Sequence, residues 1–229
     1  MSAPFALELD GVEAALGARV VLRDVTARLR PGELVAIVGA NGAGKTTLVR
    51  LMAGLLPATR GVVRLDGEAL GGRARRAVAQ RLAYLPQQYE LAFPFSVREV
   101  VLMGRTPHRP GPWLDDARDH AAADEAMARF AVGPLADRRF DELSGGEQRR
   151  VLLALAACQG ATTWLLDEPT AALDPAHARD VLAALRALVD DGRHAVVVVT
   201  HDLNLALQHA TTMWLVADGT VALHGSPAE

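Results

Sequence analysis

The chain has 229 residues, 50% of them hydrophobic and 22% charged, which suits one large domain with its own core and excludes collagen-like, disordered and disulfide-scaffold classes. A formal net charge of −3 lacks the basic footprint of a nucleic-acid binder, and the longest apolar runs, such as 151–158, fall far short of the roughly 20 residues that cross a bilayer. One cysteine, Cys158, allows no intrachain disulfide and reads as a small buried hydrophobe, in keeping with a reducing compartment.

The opening MSAPFALELD carries two acids and no basic residue, the wrong arrangement for a secretory signal, and predicts a cytosolic protein. Apolar runs at 5–9, 20–22 and 25–29, separated by the turn residues Asp10-Gly11 and Pro31-Gly32, predict antiparallel strands. The continuous apolar run 34–38 predicts a buried strand, and 46–53, ended by Gly54, follows a helical pattern. Between them, Gly39-Ala40-Asn41-Gly42-Ala43-Gly44-Lys45-Thr46 fits the phosphate-loop pattern of G, four residues, G, K, then S or T. In that strand-to-helix context backbone N–H groups surround phosphates and the helix dipole favours them. Lys45 would reach the β and γ phosphates and Thr46 would place its hydroxyl on Mg²⁺. Lysine occurs once in the chain, at Lys45, against 23 arginines, so this position asks for a compact point charge and not a planar fork.

Residues 73–83 and 97–131 are rich in alanine, arginine and acids at helical spacing, interrupted by prolines and glycine at 107–112, and predict a helical subdomain. Ser96 with Glu99, and Ser144 with Glu147, have the spacing of capping boxes at helix starts. A strand at 163–166, a helix begun by Asp174-Pro175, a β-branched strand at 196–200 and a helix from about Leu203 follow. That alternation predicts a parallel sheet covered by helices, closed by a hairpin at Asp218-Gly219. Trp164-Leu165-Leu166-Asp167-Glu168 ends a buried strand in two acids, at the sheet edge where open parallel sheets bind ligands. Asp167 would hold Mg²⁺ and Glu168 would polarise an attacking water as general base.

A third motif, Leu143-Ser144-Gly145-Gly146-Glu147, supplies backbone N–H groups at a helix N-terminus and so a second anion site. With it the sequence resembles the nucleotide-binding subunit of ATP-binding-cassette transporters, over nearly the whole chain and in the family's motif order: phosphate loop, Gln87 after Ala83-Tyr84-Leu85-Pro86, signature, Asp167-Glu168, Ala172-Leu173-Asp174, and His201. The resemblance implies an α/β P-loop NTPase fold, with a parallel core sheet, an N-terminal antiparallel β subdomain, and a helical subdomain at roughly 88–160 inserted within one domain spanning 1–229. It implies ATP and Mg²⁺ as cofactors. Gly39, Asn41, Gly42, Gly44, Lys45, Thr46 and Thr47 would hold the nucleotide of their own chain. Ser144, Gly145 and Gly146 would close over the nucleotide of a second copy in a head-to-tail dimer. Glu168, His201 and Gln87 would be catalytic, with His201 on the γ-phosphate, Gln87 linking metal or water to the membrane partner, and Thr46, Gln87 and Asp167 as metal ligands. Asp174 would lie at the dimer seam.

Two positions depart from the family pattern. Leu16, before Gly17 and Arg19, stands where many relatives stack an aromatic residue on adenine, which leaves base selectivity open. Leu155 stands where relatives often carry arginine. The segment from Glu90 to His108, which includes Phe93 and Phe95, resembles bacterial importers of iron chelates and especially of haem; iron-siderophore and cobalamin import are the alternatives. The implied partners are two transmembrane permease subunits and, indirectly, a periplasmic substrate-binding protein, with no nucleic acid. The implied location is the cytoplasmic face of the bacterial inner membrane, held there as a peripheral protein. A soluble cassette ATPase that remodels ribosomes or DNA is the rival reading, but it usually has two cassettes or a long coiled-coil insertion. A scaffold without activity is disfavoured by the presence of Lys45, Asp167, Glu168 and His201. Relatives run on into a further helix after Ser226-Pro227-Ala228-Glu229, which implies a trimmed chain.

Overall fold

A computed structural model of the chain describes residues 5–89, 93–109 and 115–227. The readings made on Glu90, Leu91, Ala92, Pro110, Gly111, Pro112, Ala228 and Glu229 lie outside the described residues. Strands β1 (Leu7–Leu16) and β2 (Arg19–Leu29) pair antiparallel and, with β4 (Arg60–Leu65) and β5 (Glu68–Ala69), form one sheet in the order β2-β1-β4-β5. Asp10-Gly11 is not a turn. It lies inside β1 at a register shift between Leu9 and Val12, a bulge that Gly11 accommodates with φ 55. The chain reverses instead at Gly17-Ala18.

The second sheet carries six strands in the order β10-β9-β3-β8-β7-β6, where β3 is Leu34–Val38, β6 Leu82–Leu85, β7 Thr163–Asp167, β8 Ala195–Val199, β9 Thr212–Ala217 and β10 Thr220–Gly225. The first five are parallel and only β10 runs against its neighbour. β3, β7 and β8 are buried at every position, as expected of parallel strands covered on both faces. Alternate residues divide between two cores. Val35, Ile37, Leu165, Val197 and Val199 face the N-terminal sheet and helix α1 (Lys45–Met52). Leu34, Trp164, Leu166, Val196 and Val198 face α3 (Val97–Leu102), α4 (Ala117–Arg129), α5 (Gly145–Cys158) and α6 (Pro175–Val189).

The prediction of helix over 73–83 holds only for α2 (Arg75–Ala79). Leu82, Ala83 and Leu85 are buried and pair with β7 as its outer parallel neighbour, so sheet packing overrides their alanine- and arginine-rich context. Between α3 and α4 the chain forms a 3₁₀ turn, Met103–His108. Both capping boxes form, at Ser96 and Ser144, and Asp218-Gly219 turns β9 into β10 with φ of 48 and 77. Among the described residues no helix is long and apolar enough to cross a membrane. The parallel strands deliver Gly39, Gln87, Glu168 and His201 to one edge of the sheet, because each follows the carboxyl end of β3, β6, β7 or β8.

Candidate nucleotide site

Helix α1 starts without a side-chain cap: its N-cap is Gly44 at φ 108, and no acid lies in its first turn. Among the described residues its leading N–H groups have no capping side chain and stand as donors at the loop mouth. The loop reaches this position because Gly39, at φ 148, passes so close to β9 that a Cβ would sit 2.2 Å from the Val216 carbonyl oxygen. Lys45 is 7% exposed. Its Nζ donates to the carbonyls of Gly39 at 2.8 Å and Ala40 at 2.9 Å, folding the ammonium across the mouth. Burial lowers its pKa, and the facing Glu168 and Asp167 carboxylates pull the other way.

Asp167 closes β7 at 1% exposure, and neither carboxylate oxygen has a hydrogen-bond partner among the described residues. Burial pushes its carboxyl pKa up. The adjacent Thr46 side chain offsets part of that rise without completing hydrogen-bond geometry, and Glu168 adds to it. An orphaned buried carboxylate beside a hydroxyl offers hard oxygen donors and fits a magnesium-type cation. No cluster of three or more His, Cys, Asp or Glu able to hold a metal occurs among the described residues.

Glu168 adopts φ 52 and anchors its N–H on the Val199 carbonyl at 3.1 Å. That left-handed step turns its carboxylate back toward the neighbouring strand ends. Gln87 Nε2 donates to one carboxylate oxygen at 2.9 Å, and His201 Nε2 lies 2.7 Å from the other. Leu16, Asn41, Gly42, Gly44, Lys45, Thr46, Thr47, Gln87, Glu168 and His201 share one cavity of ≈ 590 Å³. Leu16 stands at its rim, 51% exposed, and the remaining lining residues, Arg19 and Val21, are also non-aromatic.

Ser144, Gly145 and Gly146 do not line that cavity. Ser144 caps α5, and the Glu147 carboxylate accepts from its N–H at 2.9 Å and its hydroxyl at 2.8 Å, while the Ser144 oxygen accepts from the Glu147 N–H at 3.4 Å. The cap thus uses two of the amides that the sequence left open, and those of Gly145 and Gly146 remain without an acceptor among the described residues. Both glycines pack on the segment before Asp174: Cβ atoms there would meet Ala172 at 3.5 Å and Leu173 at 3.3 Å. Asp174 caps α6 through the N–H groups of Ala176 and His177, and its pairing with the His177 ring holds its pKa down to about 2.

Sequence reading missed Arg149. It is 5% exposed, and its guanidinium donates to the carbonyls of Pro86 at 2.9 Å, Gln87 at 3.5 Å and Asp167. Burial lowers its pKa to about 10, against the pull of Asp167 and Glu168. The available signal was periodicity: Arg149 shares a helical stripe with Leu152, Leu153 and Ala156, all buried, where a solvated charge is out of place.

A sequence model of the family described as "ABC transporter" matches residues 22–171. The chain is 47% identical over 219 residues to a hemin import ATP-binding protein of Streptomyces coelicolor, covering 96% of this chain and 77% of that protein. It is 44% identical over 221 residues to a cobalamin import ATP-binding protein of Halobacterium salinarum, covering 96% of this chain. The chain spans about half, 55%, of that archaeal relative's length. Among solved structures, the dimeric post-hydrolysis state of an ATP-binding cassette bound to ADP and Pi superposes with a TM-score of 0.85 at 26% identity, covering 96% of this chain and 98% of that one.

Proposed function

The chain belongs to the ABC transporter family, and from that premise we propose that it is the ATP-hydrolysing subunit of a haem importer. The observation that carries the ATPase reading is Glu168, held between Gln87 and His201 at the mouth of an uncapped, glycine-led helix. The triphosphate sits on the free N–H groups of α1, and Lys45 exchanges the Gly39 and Ala40 carbonyls for phosphate oxygens. Thr46 and Asp167 would hold Mg²⁺, with Gln87 close by; the ion would neutralise charge that develops on the phosphates. Glu168 takes the proton of the attacking water, a general-base role worth roughly 10² to 10⁴ in rate. His201, already pointing at Glu168, contacts the γ-phosphate.

Two copies close head to tail, the α5 N-terminus of each sealing the cavity of the other. This assignment accounts for a second N-terminus that stands apart from the cavity in its own chain. The helical block at roughly 88–160 passes closure to two membrane permease subunits, which receive cargo from a periplasmic binding protein. The chain therefore works at the cytoplasmic face of the inner membrane as a peripheral protein. Haem as cargo is supported by the name of the Streptomyces relative, and cobalamin is the second reading, on the name of the archaeal one. The test is uptake by vesicles carrying the chain with its permease and binding protein. Haem accumulation that requires ATP and stops on magnesium chelation is the expected result; accumulation of cobalamin but not haem transfers the chain to the second reading.

A further inference from the structure

Arg149 is a poor choice for stability alone. A buried guanidinium must be desolvated, and an apolar side chain of similar volume fills such a space at no electrostatic cost. Here the guanidinium makes no ion-pair contact among the described residues, the Asp167 and Glu168 carboxylates acting on it without touching it, and its Nε has no acceptor among them. All three acceptors it does find are main-chain carbonyls at two strand ends: Pro86 and Gln87 after β6, and Asp167 at the end of β7. The side chains that follow those carbonyls are the pair in contact, Gln87 and Glu168, 2.9 Å apart. A planar fork can hold two strand ends at a fixed spacing, which a single ammonium cannot.

We propose that Arg149 is a positioning residue for hydrolysis: reaching from the second turn of α5, it fixes the spacing of β6 and β7 at which Gln87 holds Glu168. Because Arg149 stands four residues, about 6 Å, from the start of α5, a shift of that helix also moves the Gln87–Glu168 pair. The end of α5 that engages the partner copy's nucleotide is thereby tied to the water-activating carboxylate of its own chain. The inference rests on the ATPase reading above.

The experiment compares the complete protein with Arg149→Met, Arg149→Lys, Gln87→Ala and the Arg149→Met/Gln87→Ala double variant, reading kcat, KM for ATP, nucleotide affinity and thermal unfolding. Arg149→Met is expected to lower kcat by about 10- to 100-fold with KM and affinity within about twofold, the pattern of an interaction that matters in the transition state alone. Arg149→Lys is expected to restore only part of that loss. The double variant is expected to lose at least about tenfold less than the product of the single losses, because both residues act through Glu168. Parental kcat in Arg149→Met, a rise in KM that carries the whole effect, or losses that multiply would overturn the inference. If Arg149→Met does not fold, Arg149→Lys decides on the same criteria: kcat lowered with unchanged KM supports the inference, and parental kcat overturns it. A parent protein that does not hydrolyse ATP sinks the ATPase reading instead, whereas an active parent with fully active variants sinks only the role of Arg149.

Discussion

The N-termini of α1 and α5 are both helix starts led by glycine, and they are built in opposite ways. α1 has no capping side chain, its loop is forced against β9, and its mouth faces Glu168 across a cavity of its own chain. α5 carries a closed capping box from Ser144 and Glu147, and its glycines pack on Ala172 and Leu173 at ordinary or slightly tight distances. An uncapped terminus is a standing anion site. A capped one already has a carboxylate near its amides, so a phosphate must displace or share it at a cost of about 1 kcal/mol. Under the proposed function, the first would bind nucleotide in a single copy, and the second would make an engagement that forms and breaks in each cycle.

Lys45→Ala probes the sharpest side of this contrast. Removing the one ammonium at the mouth of α1 is expected to weaken ATP binding by about 2–4 kcal/mol, roughly 30- to 10³-fold, as read by titration; unchanged affinity would mean that α1 does not hold the triphosphate. Glycine substitutions at the two termini should part company next. Gly39→Ala drives a Cβ to 2.2 Å from the Val216 oxygen and is expected to cost about 2–4 kcal/mol of folding stability. Gly145→Ala, whose Cβ would lie 3.5 Å from Ala172, is expected to change stability by less than about 0.5 kcal/mol. Equal melting shifts for the two would erase the difference. Ser144→Ala is expected to lower stability by about 1 kcal/mol through the lost cap while leaving ATP affinity of the single copy intact. Leu16→Tyr has the smallest expected effect: a ring at the rim of the α1 cavity should favour ATP binding by about 0.5–1 kcal/mol, and no gain in titration would remove Leu16 from the base position.

The α1 side of the site was legible because it is local. One run of eight residues, from Gly39 to Thr46, encodes loop, helix start and counter-charge, and the buried strand before it, β3, is a continuous apolar run. Glu168 and His201 were identifiable after predicted strands and Gln87 only through the family resemblance, and the mutual contact of the three depends on the order of β6, β7 and β8 in the sheet, which no local pattern states. β6 itself was hidden by an alanine- and arginine-rich context that reads as helix, and the bulge at Gly11 mimics a turn because both need a positive φ. Arg149 was hidden because two adjacent arginines look like a solvated face until the helix phase is counted. At Ser144 the capping box was visible and its consequence was not: the same spacing that starts the helix also occupies part of the site.

The measurement that bears most directly on the division between the two termini is the sedimentation mass of Glu168→Gln with and without a second change, Gly146→Asp, in magnesium and saturating ATP. Glu168→Gln is expected to double its mass in ATP but not in ADP, and the double variant to bind ATP with parental affinity and remain a single copy. A double variant that pairs as fully as Glu168→Gln would contradict that division.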